Sequence, residues 1–323
     1  MNEFEFINSI KQQYYRQSTL IKGIGDDGAI ISGSSDRLVV VTDTMVENVH
    51  FSLKYMTYSD VGYRVMAANL SDLAAMGCKP QFYLLNIVAP KNTQNSSIIE
   101  IVNGTKELAN RYNMDLIGGD TVEGEHLVIT VTAIGSQKHG LKRLRSDALE
   151  GDVVFCTGYL GKSAYGLELI KNNQIDKTSE FIQSHIRPNP RCDFAKITSN
   201  IKRICLNDIS DGIASELYEI AEASDVDIEI DWDELPINHQ MKQLNQHQLM
   251  EYVLYSGEDF ELVGTCSAVD WIQIEKICLN NNINISKIGK VRRKKDAKPN
   301  VTININEKLQ TLERKGFRHG SLD

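Results

Sequence analysis

The sequence predicts an α/β or α+β protein of two domains. Strand-like and helix-like segments alternate through both halves of the chain, with no internal repeat and no low-complexity segment. A length of 323 residues is enough for two hydrophobic cores. A charged, turn-prone stretch at 139–152 interrupts the pattern. We therefore expect an N-terminal domain at 1–138 and a C-terminal domain at 139–323.

In the first half, apolar segments alternate with turn residues. The segment 60–76 places apolar side chains at helical spacing and is followed by Gly77, a suitable C-terminal cap. Its alanines suit a helix that packs closely on a sheet. We expect helices at 3–17, 60–76 and 97–112, strands at 38–42, 82–88 and 127–135, and a short apolar run at 115–119.

The second half continues the alternation after the boundary. The segment RPNPR, 187–191, predicts an extended connection, because each proline disfavours helix in the residue before it. A helix should follow it. We also expect strands at 153–156, 227–230 and 283–290, helices at 163–172 and 213–224, and loops that carry NDISDG and SGEDFEL.

Charge and composition exclude several kinds of partner. A net charge of −8 argues against a nucleic-acid or anionic-membrane surface and favours partners that bring cations. No apolar run approaches the roughly 20 residues that span a membrane, and the N-terminus lacks the regions of a signal peptide. The six cysteines form no CxxC pair, which predicts free thiols in a reducing cytoplasm; a disulfide framework or a zinc site is the alternative.

Aspartates recur beside glycine, serine or threonine, mostly in turns or where apolar segments end. Thr42 and Asp43, for example, are predicted at the tip of a buried strand. Magnesium prefers oxygen ligands, and carboxylates can approach a polyphosphate only with cations between them. The pattern therefore predicts a multi-metal phosphate site that draws on Asp26, Asp27, Asp43, Asp72, Asp120, Asp208 and Asp211.

Each of these residues also has a purely structural interpretation. Asp72 lies inside an alanine-rich helix, where a carboxylate needs a buried partner. His50, followed by Phe51, could be a core or surface histidine. The other aspartates could stabilise turns or cap helices. The prediction of a metal site therefore depends on the occurrence of all these residues in one chain.

One segment matches part of the sequence pattern of a phosphate-binding P-loop. Gly161-Lys162-Ser163 follows a predicted strand and begins a predicted helix, but Cys156 stands where the P-loop pattern requires glycine. We expect Gly158 and Gly161 to allow close packing instead.

The motifs taken together resemble those of the thiamine-monophosphate kinases, a family in the superfamily of aminoimidazole ribonucleotide synthetase. The matching segments follow the family's order and cover nearly the whole chain: GIGDDGA (23–29), TDTMVENVHF (42–51), NLSDLAAMGCKP (69–80), LIGGDT (116–121), GDVVFCTGYLGKSAYGL (151–167), RPNPR (187–191), DISDGIASEL (208–217) and SGEDFEL (256–262).

The resemblance implies a two-domain aminoimidazole ribonucleotide synthetase-like fold, with a mixed N-terminal sheet that dimerises into a barrel and an α+β C-terminal domain. It also implies in-line transfer of a phosphoryl group from ATP to thiamine monophosphate, with several Mg²⁺ ions, in a cytoplasmic homodimer.

Site residues carry over from the resemblance position by position. Metal-site positions are Asp26, Thr42, Asp43, Asp72, Asp120, Asp208 and Asp211, of which Asp43, Asp72, Asp120 and Asp211 are the catalytic candidates. Nucleotide contacts are Gly119, Asp120, Arg145 and Ser210. Thiamine phosphate contacts are His50, Glu258 and Phe317.

Three departures from the family pattern stand out. Asn48 and Ser256 each replace a usual glycine, and the C-terminus reads GFRHGSLD rather than closing on an aromatic residue. The alternatives to a thiamine-monophosphate kinase are another ATP-dependent enzyme of the superfamily and a non-catalytic module that binds nucleotide and Mg²⁺.

Overall fold

The computed structural model describes residues 12, 14–22, 30–31, 33 and 36–316. The predicted helix at 3–17 lies largely outside these residues, and its described part at 14–17 is not helical. The chain divides into two compact units, one formed by 1–73 and 78–139, the other by 74–77 and 140–323. Mixed helices and sheets make up both units, which confirms the predicted fold class.

The first unit is built on a four-stranded mixed sheet in the order β3-β6-β4-β5. Only β4 and β5 run parallel. A separate antiparallel pair precedes it. The elements are β1 (Leu20–Lys22), β2 (Ile30–Ile31), β3 (Arg37–Val46), α1 (Tyr58–Ala75), β4 (Lys79–Pro90), α2 (Asn95–Arg111), β5 (Asp115–Gly124) and β6 (Val128–Gln137).

Two glycines allow the helices of this unit to touch backbone to backbone. A Cβ on Gly62 of α1 would lie 2.0 Å from the Ile101 carbonyl oxygen, and one on Gly104 of α2 would lie 2.0 Å from that of Ser59. Any larger residue would push the helices apart. The close contact holds α1, the helix that carries Asp72, in a fixed position.

The two faces of the sheet in the first unit differ. Along β6, alternate residues such as Ile129 and Val131 are fully buried. On the opposite face, which we call the open face, Leu38 and Val40 of β3 are 51% and 62% exposed, and Val122 of β5 is 47% exposed.

The second unit contains a seven-stranded sheet in the order β13-β12-β9-β11-β7-β10-β8. All neighbours are antiparallel except β12 and β9. The strands are β7 (Val153–Thr157), β8 (Cys205–Asp208), β9 (Asp227–Asp231), β10 (Leu262–Cys266), β11 (Ile285–Arg292), β12 (Val301–Ile305) and β13 (Lys308–Thr311). The helices are α3 (Lys162–Lys171), α4 (Glu180–Ile186), α5 (Cys192–Ile197), α6 (Ile213–Ser224), α7 (Gln246–Met250) and α8 (Ala268–Asn280).

The centre of the second sheet is buried on both faces. Every residue of β7 and of β10 is buried, as expected for short strands without apolar–polar alternation. The segment 187–191, predicted as an extended connection, joins α4 to α5 without helix or strand. Its end residues Arg187 and Arg191 have ψ values of 67° and 40°, so these two residues are not extended.

All six cysteines are buried and free, which confirms the prediction of free thiols. No helix in the described part of the chain combines the length and apolar character needed to cross a bilayer.

Candidate active site

Two aspartates of the first unit, Asp43 and Asp72, have their side-chain carboxyl groups within hydrogen-bonding reach of each other. Asp43 lies on the face of β3 that also carries the buried Met45. Asp72 lies on α1 between Leu70 and Leu73, which are fully buried. Two carboxyl groups in contact cannot both be ionised unless a cation lies between them. Their oxygen atoms fit a divalent metal ion such as Mg²⁺.

His50 lies close to this pair. Burial raises the pKa of Asp43 above its ordinary value, while the hydrogen bond with Asp72 and the electrostatic influence of His50 lower it. The His50 Nδ1 atom accepts a hydrogen bond of 3.0 Å from the Val46 backbone N–H. In the neutral ring the proton is therefore on Nε2, which is the nitrogen able to donate to a ligand.

The turn that brings His50 back towards β3 depends on Asn48. Its φ of +63° lies in the left-handed region, which asparagine tolerates better than most residues. The Asn48 N–H donates to the Phe51 carbonyl at 2.8 Å, and Phe51 is buried. Asparagine at this position thus preserves a turn that a glycine would also allow.

The prediction that a buried strand ends at Thr42 and Asp43 is wrong. β3 continues to Val46, is an edge strand of the sheet, and is partly exposed on the open face. The run Val39–Val41 is apolar along its whole length, so the sequence alone did not show which face is open.

Thr42 lies on the open face, opposite to Asp43. Its hydroxyl donates to the Val131 carbonyl at 3.1 Å and lies 3.1 Å from the Thr132 hydroxyl. Successive residues of a strand point to opposite faces, so the structure does not bring the Thr42 hydroxyl to the Asp43 carboxylate. Adjacency in the sequence had suggested that both would bind one metal.

Gly119 and Asp120 lie in the edge strand β5. A Cβ on Gly119 would lie 1.9 Å from the Leu85 carbonyl oxygen, so the close approach of β4 requires glycine there. Asp120 is exposed, and its register partner on β4 is the exposed Asn86. Asp120 therefore also belongs to the open face, where its Oδ1 accepts from the Thr121 N–H at 2.8 Å.

In the second unit, Asp208 ends β8 and Asp211 follows in the loop before α6. The Asp211 N–H donates to the Glu216 carboxyl group at 3.1 Å. Burial, followed by the charges of Asp208 and Glu219, raises the pKa of Glu216 to about 9. Sequence reasoning missed Glu216, although an acid in the first turn of a helix is a recognisable signal.

Arg145 is held next to this acidic group. Its Nε donates to the Asn207 side chain at 2.9 Å, and its terminal nitrogen lies 3.3 Å from the Glu219 carboxylate. Asn207 in turn donates to Glu216 at 2.5 Å. The Arg145 side chain is 52% exposed, so an oriented guanidinium remains accessible to a phosphate.

The loop around Ser210 is joined to the segment 256–261, which we call the acceptor loop. A Cβ on Gly257 would lie 1.9 Å from the Ser210 carbonyl oxygen, and the Glu258 N–H donates to that oxygen at 2.8 Å. Ser256 has a φ of −89°, which any residue can adopt. The structure thus brings together the predicted ATP contact Ser210 and the predicted substrate contact Glu258.

A carboxylate of the chain occupies the P-loop-like turn. Asp259 accepts hydrogen bonds from the N–H groups of Gly161 and Ser163 at 2.7 and 3.2 Å. Lys162 is paired with Glu180 at 2.7 Å. The structural interpretation of this segment fits these contacts, since the helix terminus already has an anion.

Arg191 of the RPNPR segment anchors the end of the acceptor loop. Its Nε and terminal nitrogen donate to the two carboxylate oxygens of Glu261 at 2.5 and 2.6 Å. The Thr157 hydroxyl donates to the same carboxylate at 2.6 Å. A Cβ on Gly158 would overlap this carboxylate, so Gly158 makes room for the ion pair.

The predicted metal ligands that the structure describes are divided between the two units. Within 36–316 and the shorter described stretches before it, no three acidic, histidine or cysteine side chains converge as metal ligands would. Asp43 and Asp72 meet in the first unit, and Asp208 and Asp211 lie near Glu216 in the second. Asp26, Asp27 and Phe317 lie outside the described residues.

Comparisons with known proteins identify the family. Residues 25–137 match the family described as AIR synthase related protein, N-terminal domain, and residues 150–301 match its C-terminal domain. A curated thiamine-monophosphate kinase of Bacillus subtilis is 44% identical over 326 aligned residues, which cover 99% of each chain. This chain belongs to the thiamine-monophosphate kinase family.

Solved structures of the thiamine-monophosphate kinase family have the same fold. The enzyme from Stenotrophomonas maltophilia superposes with a TM-score of 0.80 at 28% identity and covers 92% of this chain and 94% of its own. A structure described as AaThiL complexed with AMPPCP and TMP superposes with a TM-score of 0.75 at 29% identity, over 98% and 97% of the two chains.

Proposed function

We propose that this chain, a thiamine-phosphate kinase by family, transfers the γ-phosphoryl group of ATP to thiamine monophosphate and forms thiamine diphosphate and ADP. The observation that carries the proposal is the contact of Asp43 with Asp72 beside His50. This arrangement places a cation-binding pair next to a group suited to an acceptor phosphate. The related protein complexed with AMPPCP and TMP supports the same pair of substrates.

Asp43 and Asp72 would hold Mg²⁺ in the first unit, and Asp208 and Asp211 would hold it in the second. Bound Mg²⁺ neutralises the charge of the polyphosphate and orients it for attack. Asp26 is proposed as a further ligand from the family resemblance. The contact between Asp43 and Asp72 fits this role because two ionised carboxylates in contact need a cation.

ATP contacts are proposed at Gly119, Asp120, Arg145 and Ser210. Arg145 is the best supported, since Asn207 and Glu219 orient a guanidinium that is still half exposed. A planar cation of this kind can bind two phosphate oxygens at once. It would bind and orient the nucleotide without transferring a proton.

The acceptor, thiamine monophosphate, is proposed to contact His50, Glu258 and Phe317. His50 can donate from Nε2, because Nδ1 already accepts from Val46. A phosphate monoester has a second pKa of about 6, so the attacking oxygen is already ionised near neutral pH. Direct in-line transfer then needs positioning and charge neutralisation rather than a general base.

A homodimer formed through the open face is part of the proposal. This face carries exposed Leu38 and Val40 on β3 and Val122 on β5, and exposed apolar side chains on one face of a sheet suit an interaction surface. Thr42 and Asp120 lie on the same face and would then be at the interface between two copies. Light scattering on the purified protein should give twice the mass of one chain; a monomer at micromolar concentration would contradict the dimer.

The cytoplasm is proposed as the site of action. All six cysteines are free and buried, as suits a reducing compartment.

The direct test is to incubate the protein with ATP, Mg²⁺ and thiamine monophosphate and to separate the products by chromatography. We expect thiamine diphosphate and ADP in equal amounts. A matched reaction with thiamine in place of its monophosphate should give no product, because the acceptor must be a phosphate. If ATP binds and no thiamine diphosphate forms, the proposal fails and the nucleotide-binding module or another enzyme of the superfamily is favoured.

A further inference from the structure

The N-terminus of α3 is an anion site that the chain fills with its own carboxylate. Gly161 has a φ of +77°, and a Cβ there would lie 2.9 Å from the Tyr252 carbonyl carbon, so the conformation that directs its N–H is fixed. The two Asp259 oxygens accept from the Gly161 and Ser163 N–H groups. This pair of hydrogen bonds ties the middle of the acceptor loop to a helix 96 and 98 residues away in the sequence.

The backbone on each side of Asp259 has an unfavourable conformation. Glu258 has a φ of +66° and Phe260 a φ of +51°. Left-handed conformations of residues other than glycine persist only where the surrounding structure holds them in place. Backbone bonds to Ser210 and Ile209 supply part of this restraint. Asp259 supplies an anchor through its side chain, between the two strained residues.

We propose that Asp259 is a positioning residue for the acceptor: its hydrogen bonds to the start of α3 hold Glu258 in the conformation that binds thiamine monophosphate. This inference rests on the proposed function, in which Glu258 contacts the acceptor. The two residues have separate roles, because the Asp259 carboxylate is engaged by α3, whereas Glu258 is the residue proposed to contact the substrate.

The charges around Asp259 affect its protonation. Burial raises the pKa of Asp259 to about 7; the Gly161 and Ser163 N–H groups and Lys162 lower it, and Glu261 raises it. His185 also faces the loop, with its Nδ1 3.9 Å from the Glu258 carboxylate. A protonated Asp259 has one fewer acceptor oxygen for the two N–H groups, so the anchor weakens as the pH falls through 7.

The test compares the full-length wild type with Asp259→Ala and Asp259→Asn by steady-state kinetics at pH 8. Losing two hydrogen bonds should raise the KM for thiamine monophosphate about tenfold or more in Asp259→Ala, with the KM for ATP within about twofold. Asp259→Asn keeps one acceptor oxygen and should recover part of the loss. Asp270→Asn, at the start of α8, is the matched control and should leave both KM values unchanged.

A second measurement covers the case in which Asp259→Ala fails to fold. The KM for thiamine monophosphate is measured at pH 6 and pH 8 for the wild type and for Asp259→Asn. Titration of the substrate phosphate affects both proteins equally, so only the wild type should show the additional rise at pH 6.

Four results would overturn or separate the proposals. Equal rises in the two KM values, or identical pH dependence in wild type and Asp259→Asn, would show that Asp259 has only a structural role. An active wild type with unchanged kinetics in both variants would reject this inference alone. A wild type that forms no thiamine diphosphate would reject the proposed function itself.

Discussion

Asp72→Asn should lower kcat by about 10²- to 10³-fold, the scale of losing one electrostatic contributor to a transition state. Asparagine has nearly the same shape, so α1 should keep its packing while the pair with Asp43 loses one ligand charge. Half-maximal activity should also require more Mg²⁺. Steady-state assays over a range of Mg²⁺ concentrations would measure both effects.

The stability of this variant distinguishes a metal site from a structural contact. Without metal, two carboxyl groups in contact destabilise the fold, so Asp72→Asn should unfold at the same temperature as the wild type or higher. Glu100→Gln, an exposed acid on α2, is the control and should change neither activity nor stability. Activity within threefold of wild type in Asp72→Asn would rule out the metal role.

Arg191→Met should destabilise the protein by about 3–5 kcal/mol, the cost of leaving a buried charge without its partner. Glu261 is only 8% exposed and accepts two hydrogen bonds from Arg191 and one from Thr157. Methionine fills much of the arginine volume, so the loss of stability should come from the missing charge rather than from a cavity. Urea denaturation would measure the change in the free energy of unfolding.

Two further variants make this prediction specific. Arg292→Met breaks a bidentate pair with Glu229 at 3.1 and 3.0 Å on the surface, and should cost about 1 kcal/mol or less. Combining Arg191→Met with Glu261→Met removes both charges and should recover most of the stability. Equal losses in Arg191→Met and Arg292→Met would contradict the importance of the buried pair.

The sequence predicted the elements whose pattern is local. The helix expected at 60–76 is observed at Tyr58–Ala75, because regular apolar spacing and Gly77, with a φ of +64°, mark its length and end. The strand expected at 82–88 extends over Lys79–Pro90. Its first residues include Pro80, which obscured the start of the strand.

Other elements were missed because their signals depend on distant partners. β12 and β13 are short and contain many polar residues, and β13 is exposed along its whole length. α8 was missed because its apolar residues are not confined to one buried face: Val269 is 79% exposed. Such segments become regular through pairing or packing rather than through their own pattern.

The same limit applies to the candidate site. Repeated aspartates were visible along the chain, and Asp43 and Asp72 do meet. Arg191 and Asp259 were not predicted as anchors, since each role depends on contacts that folding creates. Glu216 was missed although its place in the first turn of α6 is a signal that the sequence carries. Thr42 is the opposite case. It is adjacent to Asp43 in the sequence, but its side chain lies on the other face of β3.

The strand order of the second sheet has a consequence for synthesis on the ribosome. β7 lies between β10 and β11, so Cys156 pairs with Val263 and Thr157 with Ile285. All four strands of the first unit's sheet have been synthesised once Gln137 has been added. The two partners of β7, in contrast, are β10 and β11, which are translated about 100 residues or more after it. Nascent chains thus present an unpaired, largely apolar strand, which is buried along its whole length in the folded protein, for most of the second half of translation. We expect this interval, with its high contact order, to be when the protein most needs a chaperone.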